Sequence, residues 1–133
     1  MRRTPTSPLA WRFLNTGEGP ASFNMALDEA IADSVRDESS PPTIRVYGWN
    51  PSAVSLGYAQ KLNEEVDPAK CDQYGIQIVR RQTGGRTVLH ADELTYSVIA
   101  PEDHPAIGKS AYENYRLVSE ALLAALKRIG VPG

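Results

Sequence analysis

The chain has 133 residues, 41% of them apolar and 23% charged, with 14 Lys plus Arg against 16 Asp plus Glu and a formal net charge of -2. That length and balance fit one soluble globular domain, able to bury roughly two-thirds of its unfolded surface without cross-links. They exclude a disordered chain and disfavour a general nucleic-acid binder, which would carry a basic excess. The single cysteine, Cys71, excludes an internal disulfide and a cysteine-rich zinc site, and two histidines leave little for a metal centre.

Residues 1–10 read as a flexible lead-in, with two arginines but no apolar run behind them to make a secretory signal. Trp11–Leu14 reads as a short strand, broken by Gly17, Gly19 and Pro20. A helix follows, with Phe23, Leu27, Ala30, Ile31 and Val35 at three- and four-residue steps. Its Asp28 and Glu29, adjacent in sequence, read as solvated surface. Strands are expected at Thr43–Tyr47, Ala53–Tyr58, Ile76–Arg80, Thr87–His90 and Leu94–Ile99. One short helix is expected within 61–75, with Asp67 as its cap and Pro68 in its first turn. Leu117, Val118, Ala121, Leu122, Ala125, Leu126 and Ile129 make the apolar stripe of a last helix, stopped by Gly130 and Pro132. Strands grouped between two helices predict an α+β domain, its helices packed on a mostly antiparallel sheet.

The chemistry concentrates in Arg80-Arg81-Gln82-Thr83-Gly84-Gly85-Arg86-Thr87-Val88-Leu89-His90. Glycines let a backbone approach a ligand, and their N–H groups can face an anion. Arginines fit carboxylate or phosphate. The plainer reading is a glycine turn with solvated arginines. Arg80 tilts the balance, because an arginine closing an apolar strand calls for a counter-charge. His90 suits either a ligand contact or a hydrogen bond to Asp92 or Glu93. Trp49 and Tyr58 suit the wall of an apolar pocket or plain core. Cys71 has no neighbouring histidine and reads as a passive thiol. Gly108-Lys109-Ser110 lacks the upstream glycine and strand of a phosphate-binding loop.

Four segments together resemble a known family. They are Phe23–Ala30 (FNMALDEA), Arg45–Pro51 (RVYGWNP), Ser55–Gln60 (SLGYAQ), and Val79–His90 followed by Glu93–Val98. In this order they resemble the lipoate-protein ligase and octanoyltransferase family, and the wording of the third and fourth is closer to octanoyltransferases. The resemblance implies the catalytic fold shared by biotin and lipoate protein ligases, with 11–133 as its N-terminal part. It implies transfer of an octanoyl or lipoyl group to a lysine of a lipoyl carrier domain, in the cytoplasm.

By the same resemblance Arg80, Arg81, Thr83, Gly84, Gly85, Arg86 and His90 surround the carboxyl end of the acyl group, with Trp49 and Tyr58 bordering it. The implied substrates are octanoyl-acyl carrier protein or, for a ligase, lipoate with ATP and magnesium; no permanent cofactor and no metal is implied. The implied partners are acyl carrier protein and a carrier domain, in the glycine cleavage H protein or a 2-oxoacid dehydrogenase E2. No nucleic acid or membrane is implied. The family's essential lysine and the octanoyltransferase cysteine belong to a later stretch, beyond residue 133, so no catalytic residue is expected here. A completing C-terminal chain, or self-association through exposed apolar faces of the later strands, is the matching expectation. The alternatives are an ATP-dependent lipoate-protein ligase and a non-catalytic module that binds an acyl group or its carrier. The chain is not itself a lipoyl carrier, since no lysine sits in an Asp-Lys hairpin tip.

Overall fold

A computed structural model describes residues 10–131. Except for Ala10, the expected lead-in lies outside the described residues, as does Pro132. The chain divides into two compact units, one of Trp11–Ile99 and one of the segment from Ala100 onward with Ala10.

The larger unit runs β1 (Arg12–Gly19), α1 (Ala21–Arg36), β2 (Thr43–Trp49), β3 (Ala53–Leu56), α2 (Leu62–Glu65), α3 (Pro68–Gln73), β4 (Gln77–Arg80), β5 (Val88–His90) and β6 (Thr95–Ile99). It holds two three-stranded sheets, in the orders β1-β2-β6 and β4-β3-β5. The α+β class stands. The sheets, however, are mixed rather than mostly antiparallel. β2 pairs parallel with β1 and antiparallel with β6, and β3 pairs parallel with β4 and antiparallel with β5. The reason lies in the connections. α1 carries the chain from β1 back to β2, and α2 with α3 carry it from β3 to β4. A crossover of that length returns the chain in the same direction.

β1 is longer than expected. It passes through Gly17 by an irregularity between Asn15 and Glu18. Gly17 takes φ +66 there, and its N–H donates to the Asn15 side chain at 3.1 Å. A glycine can turn a strand left-handed locally without ending its pairing. The stretch 61–75 holds two short helices where one was expected, and Asp67 caps the second by accepting from the Lys70 N–H at 3.1 Å. The N-terminus of α1 begins after Pro20, which has no capping side chain. Gln77 of β4 supplies the missing acceptor, its Oε1 taking the Ala21 N–H at 2.7 Å.

Burial on β2 is inverted relative to its apolar pattern. Thr43, Arg45 and Tyr47 are buried, while Ile44 and Val46 are half-exposed. In α1 the buried residues are Ala21, Asn24, Ile31 and Val35, and Phe23, expected in the apolar stripe, is exposed. Asn24 and Arg45 explain both shifts, because they face each other. Around them Ala21, Tyr47, Trp49 and Ala53 form the core cluster, with Met25 and Val79 packed against it. Of the apolar faces expected to stay exposed on the later strands, Leu94 just before β6 and Tyr96 within it are exposed, while Ile76, Ile78 and Val79 are half-buried.

The second unit is α4 (Ala111–Arg128) with its lead-in loop. Ser110 caps the helix by accepting from the Glu113 N–H at 3.2 Å, and Glu113 reaches back to the Lys109 N–H at 2.6 Å. So Gly108-Lys109-Ser110 is the entry to a helix. Gly130, at φ +83, ends it. The apolar stripe lies on α4 as expected, and none of its residues is buried.

Candidate functional site

β4 ends at Arg80 and β5 begins at Val88, so the arginine and glycine segment forms the loop between them. The first finding is where its two leading arginines point. Arg80 Nη1 donates to three carbonyls, those of Gly57, Tyr58 and Gln60, at 2.9, 3.0 and 2.6 Å. Arg81 Nη1 donates to the Ser55 carbonyl and hydroxyl at 3.0 and 3.1 Å, and its Nη2 to the carbonyls of Gly84 and Arg86 at 2.9 and 2.7 Å. The expectation of a counter-charge at Arg80 is therefore corrected. Converging carbonyl dipoles take its place. Arg86 differs, with a side chain 89% exposed and only a 3.8 Å approach to Glu65.

The second finding concerns the loop backbone. The Thr83 carbonyl accepts from the Tyr58 N–H at 3.0 Å. With Gly84 and Arg86 held by Arg81, three of the loop's carbonyls are engaged by the protein. Among the described residues, none of the N–H groups of Gln82, Thr83, Gly84, Gly85 and Arg86 has a hydrogen-bond partner. A loop with its carbonyls taken and its N–H groups unpaired carries net positive potential at its surface. Gly85 contributes a φ of +92. Gly57 lets the two loops touch, since a Cβ there would overlap the Gly85 carbonyl. Gln60 locks the contact from below, its Oε1 accepting from the Gly57 N–H at 2.8 Å and from the Thr87 hydroxyl at 2.9 Å.

His90 closes β5 and is buried. Its Nδ1 lies 2.6 Å from Glu93 Oε1 and its Nε2 lies 2.8 Å from Ser55 Oγ. Its ring stacks on Trp49, centroids 4.1 Å apart and planes 15° apart. The hydrogen bond to Glu93 is the plainer of the two readings made for this histidine. Trp49 Nε1 donates to the Thr95 hydroxyl at 2.7 Å, which donates to Glu93 at 2.6 Å. Trp49 is thus part of the core beside the loop. Tyr58 is 70% exposed, and its backbone joins the site through its carbonyl and N–H. Cys71 is buried on α3.

Partial burial alone would raise the Glu93 carboxyl. The hydrogen bonds from Thr95 and His90, with the charge His90 carries when protonated, outweigh it and hold the group below its ordinary value of 4.5. A carboxyl depressed in the folded state stabilises the fold above the unfolded value, and that contribution is lost as pH falls through the folded value. Glu93→Gln should therefore flatten the acid side of a stability-versus-pH curve measured by urea unfolding. An unchanged acid slope would rule out Glu93 as a contributor.

A second polar cluster was missed in the sequence. Arg45 has no exposed side-chain surface. Its Nε donates to Thr16 Oγ1 at 2.9 Å, its Nη1 to the Asn24 carbonyl at 3.0 Å and Asp28 Oδ1 at 2.8 Å, and its Nη2 to Asn24 Oδ1 at 2.7 Å. The guanidinium lies 3.8 Å from the centre of the Tyr47 ring. Asp28 also accepts from Tyr47 Oη and Ser97 Oγ, each at 2.9 Å. Asp28 is therefore no solvated surface carboxylate; it is the partner of a buried arginine. Burial, and then the Asp28 charge, push the Tyr47 hydroxyl well above the usual phenol range. The sequence signal was a lone arginine within an alternating strand.

Among the described residues there is no group of three or more potential metal ligands, and no helix is long and apolar enough to cross a membrane.

Comparison with known proteins places this geometry. Residues 20–133 match the family model of the lipoyl protein ligase A/B catalytic domain. The octanoyltransferase LipM of Geobacillus kaustophilus is 49% identical over 121 residues, covering 91% of this chain and 44% of that protein. The octanoyltransferase LipM of Bacillus subtilis is 45% identical, with the same shares covered. The chain therefore spans about half the length of the curated relatives it matches. Among solved structures, a lipoate-protein ligase A bound with ATP superposes at a TM-score of 0.78 with 30% identity, over 92% of this chain and 48% of that one. A bi-partite lipoate protein ligase of Thermoplasma acidophilum superposes at 0.71 with 32% identity, over the same shares. This chain belongs to the lipoyl protein ligase A/B catalytic domain family.

Proposed function

We propose that the chain supplies the acyl-end cradle of an octanoyltransferase that moves an octanoyl group from acyl carrier protein to a lysine of a lipoyl carrier domain, in the glycine cleavage H protein or a 2-oxoacid dehydrogenase E2. The observation that carries this is the loop of Gln82–Arg86, three of whose carbonyls are held by Tyr58 and Arg81 and whose N–H groups are unpaired among the described residues. Acyl transfer passes through a tetrahedral intermediate with negative charge on the former carbonyl oxygen. Fixed N–H donors stabilise that charge more than the neutral ground state. Arg86, exposed at the loop's end, adds positive potential. The covalent step falls to groups outside this site, since Cys71 is buried on another element.

The test is calorimetry with octanoate and, as the neutral control, octanol. Octanoate should bind and octanol should bind at least roughly tenfold more weakly, the worth of a charge-assisted hydrogen bond. Equal affinities, or no heat with octanoate, would refute the cradle. The purified chain should transfer no octanoyl group from acyl carrier protein to a lipoyl domain; measurable transfer would overturn that division of labour.

The similarity to an ATP-bound lipoate-protein ligase favours a second reading, in which the same loop faces lipoate and its adenylate, with magnesium accompanying the ATP. Lipoate-dependent release of pyrophosphate from ATP by the whole protein would select it. The relatives at 45–49% identity are named octanoyltransferases, which is why the first reading is preferred.

A further inference from the structure

Beneath the loop, Ser55, His90 and Glu93 stand in the order of a hydrolase triad, with 2.8 Å between Ser55 Oγ and His90 Nε2 and 2.6 Å between His90 Nδ1 and Glu93. Ser55 is nevertheless 1% exposed, and its hydroxyl oxygen already accepts from Arg81. A nucleophile needs an approach path and a lone pair turned to the substrate; burial denies this serine the first, and Arg81 already occupies one of its two lone pairs. The arrangement asks for another role.

The directions of its hydrogen bonds are fixed by groups that act only one way. Trp49 Nε1 and the Arg81 guanidinium can only donate, and an ionised Glu93 can only accept. Glu93 is held ionised by the bonds it receives. Hence Trp49 donates to Thr95, Thr95 to Glu93, and His90 Nδ1–H to Glu93. At the other end Arg81 donates to Ser55, so the Ser55 O–H is free to donate to His90 Nε2. One chain of bonds thus runs from Trp49 and Thr95 in the first sheet, through Glu93, to His90 and Ser55 in the second, and on to Arg81 just past β4. The last member holds the carbonyls of Gly84 and Arg86.

We propose that His90 is a positioning residue, locked as the neutral Nδ1–H tautomer, which sets Ser55 to receive Arg81 and so keeps the loop's carbonyls turned inward. The role of the loop rests on the reading given above, but the tautomer and its coupling to Ser55 do not. A change from the Nδ1–H to the Nε2–H form would set the bare Nδ1 against the Glu93 carboxylate, two acceptors 2.6 Å apart, and fill the second lone pair of Ser55 with a donor. The hydroxyl would turn its hydrogen away, inside a site with almost no water access.

Nitrogen-15 imidazole spectra of the purified protein decide it, with His104→Gln used to assign the two rings. The expected result is a protonated, pyrrole-type Nδ1 and an unprotonated, hydrogen-bonded Nε2 for His90. Ser55→Ala removes one hydroxyl from a buried site. It should shift His90 Nε2 toward the value of a free acceptor and weaken octanoate binding by roughly fivefold, the loss of one hydrogen bond at the arginine. Glu93→Gln should let both tautomers appear. An Nε2–H tautomer in the unaltered protein overturns the proposal. So does a Ser55→Ala variant in which the His90 nitrogens and octanoate affinity are both unchanged. If the unaltered protein binds no octanoate, the cradle fails on its own, and the nitrogen shifts still decide the tautomer.

Discussion

Asp28→Ala should destabilise the chain by about 3 kcal/mol, at the lower end of the cost of removing one partner from a buried ion pair. The lower end applies because the Asp28 side chain is 21% exposed, so water can reach part of the site. The cost arises at Arg45, which has no exposed surface and would keep its charge without its carboxylate. Tyr47 and Ser97 would lose an acceptor at the same time. Against a typical total of 5–15 kcal/mol, such a loss lowers the urea midpoint clearly or prevents folding. The double variant Asp28→Leu with Arg45→Met should fall less than Asp28→Ala alone, since it leaves no unpaired buried charge. Ser97→Ala, which keeps the ion pair, should cost about 1 kcal/mol. Urea unfolding of the three variants provides the check, and an Asp28→Ala loss below that of Ser97→Ala would show that the pair does not hold α1 to its sheet.

That pair also shows what the sequence could and could not convey. Periodicity revealed α1 and α4, because an amphipathic helix carries its apolar stripe at three- and four-residue steps. Alternation revealed β2 as a strand but not which of its faces is buried. Ile44 and Val46 look like the core positions, whereas the structure buries Thr43, Arg45 and Tyr47. The deciding partners lie far off in the chain. Asp28 is 17 residues from Arg45 and 69 from Ser97. No local pattern reports a contact of that range. Strand direction was lost for a related reason. Each sheet's parallel pair depends on how an intervening helix returns the chain, and single-strand patterns carry no direction.

The site was more legible than its workings. The loop from Arg80 to Arg86 stood out because glycines and arginines are costly to place between strands without cause. Its logic did not, because arginine in a sequence suggests an anion, while both leading arginines bind carbonyl oxygens. Ser55 carried a faint signal, a hydroxyl within the buried run Ala53-Val54-Ser55-Leu56. Only the fold joins it to His90, 35 residues later.

Gly57→Ala should abolish octanoate binding while leaving most of the fold intact. A Cβ at Gly57 would overlap the Gly85 carbonyl oxygen and press on the carbonyl carbons of Gly85 and Gly84. The obstacle is backbone, so no flexible side chain can swing aside. One of the two loops must move. Gly57 is buried whereas the loop of Gln82–Arg86 is exposed, and the hydrogen bonds that hold that loop are made by its carbonyls. Its displacement separates Tyr58 N–H from the Thr83 carbonyl and pulls Gly84 and Arg86 off Arg81. Carbonyls released from those bonds can rotate outward, and the row of N–H groups is lost. Relief of such overpacking costs about 1–3 kcal/mol of stability, so the variant should still fold. Gly84→Ala is the internal comparison, since a Cβ there meets nothing within 4 Å. It should match the unaltered melting midpoint. Calorimetry with octanoate and thermal melts of both variants separate the outcomes. Gly57→Ala with full octanoate affinity would mean that the contact between the two loops does not shape the cradle, and that the unpaired N–H groups are not what receives the anion.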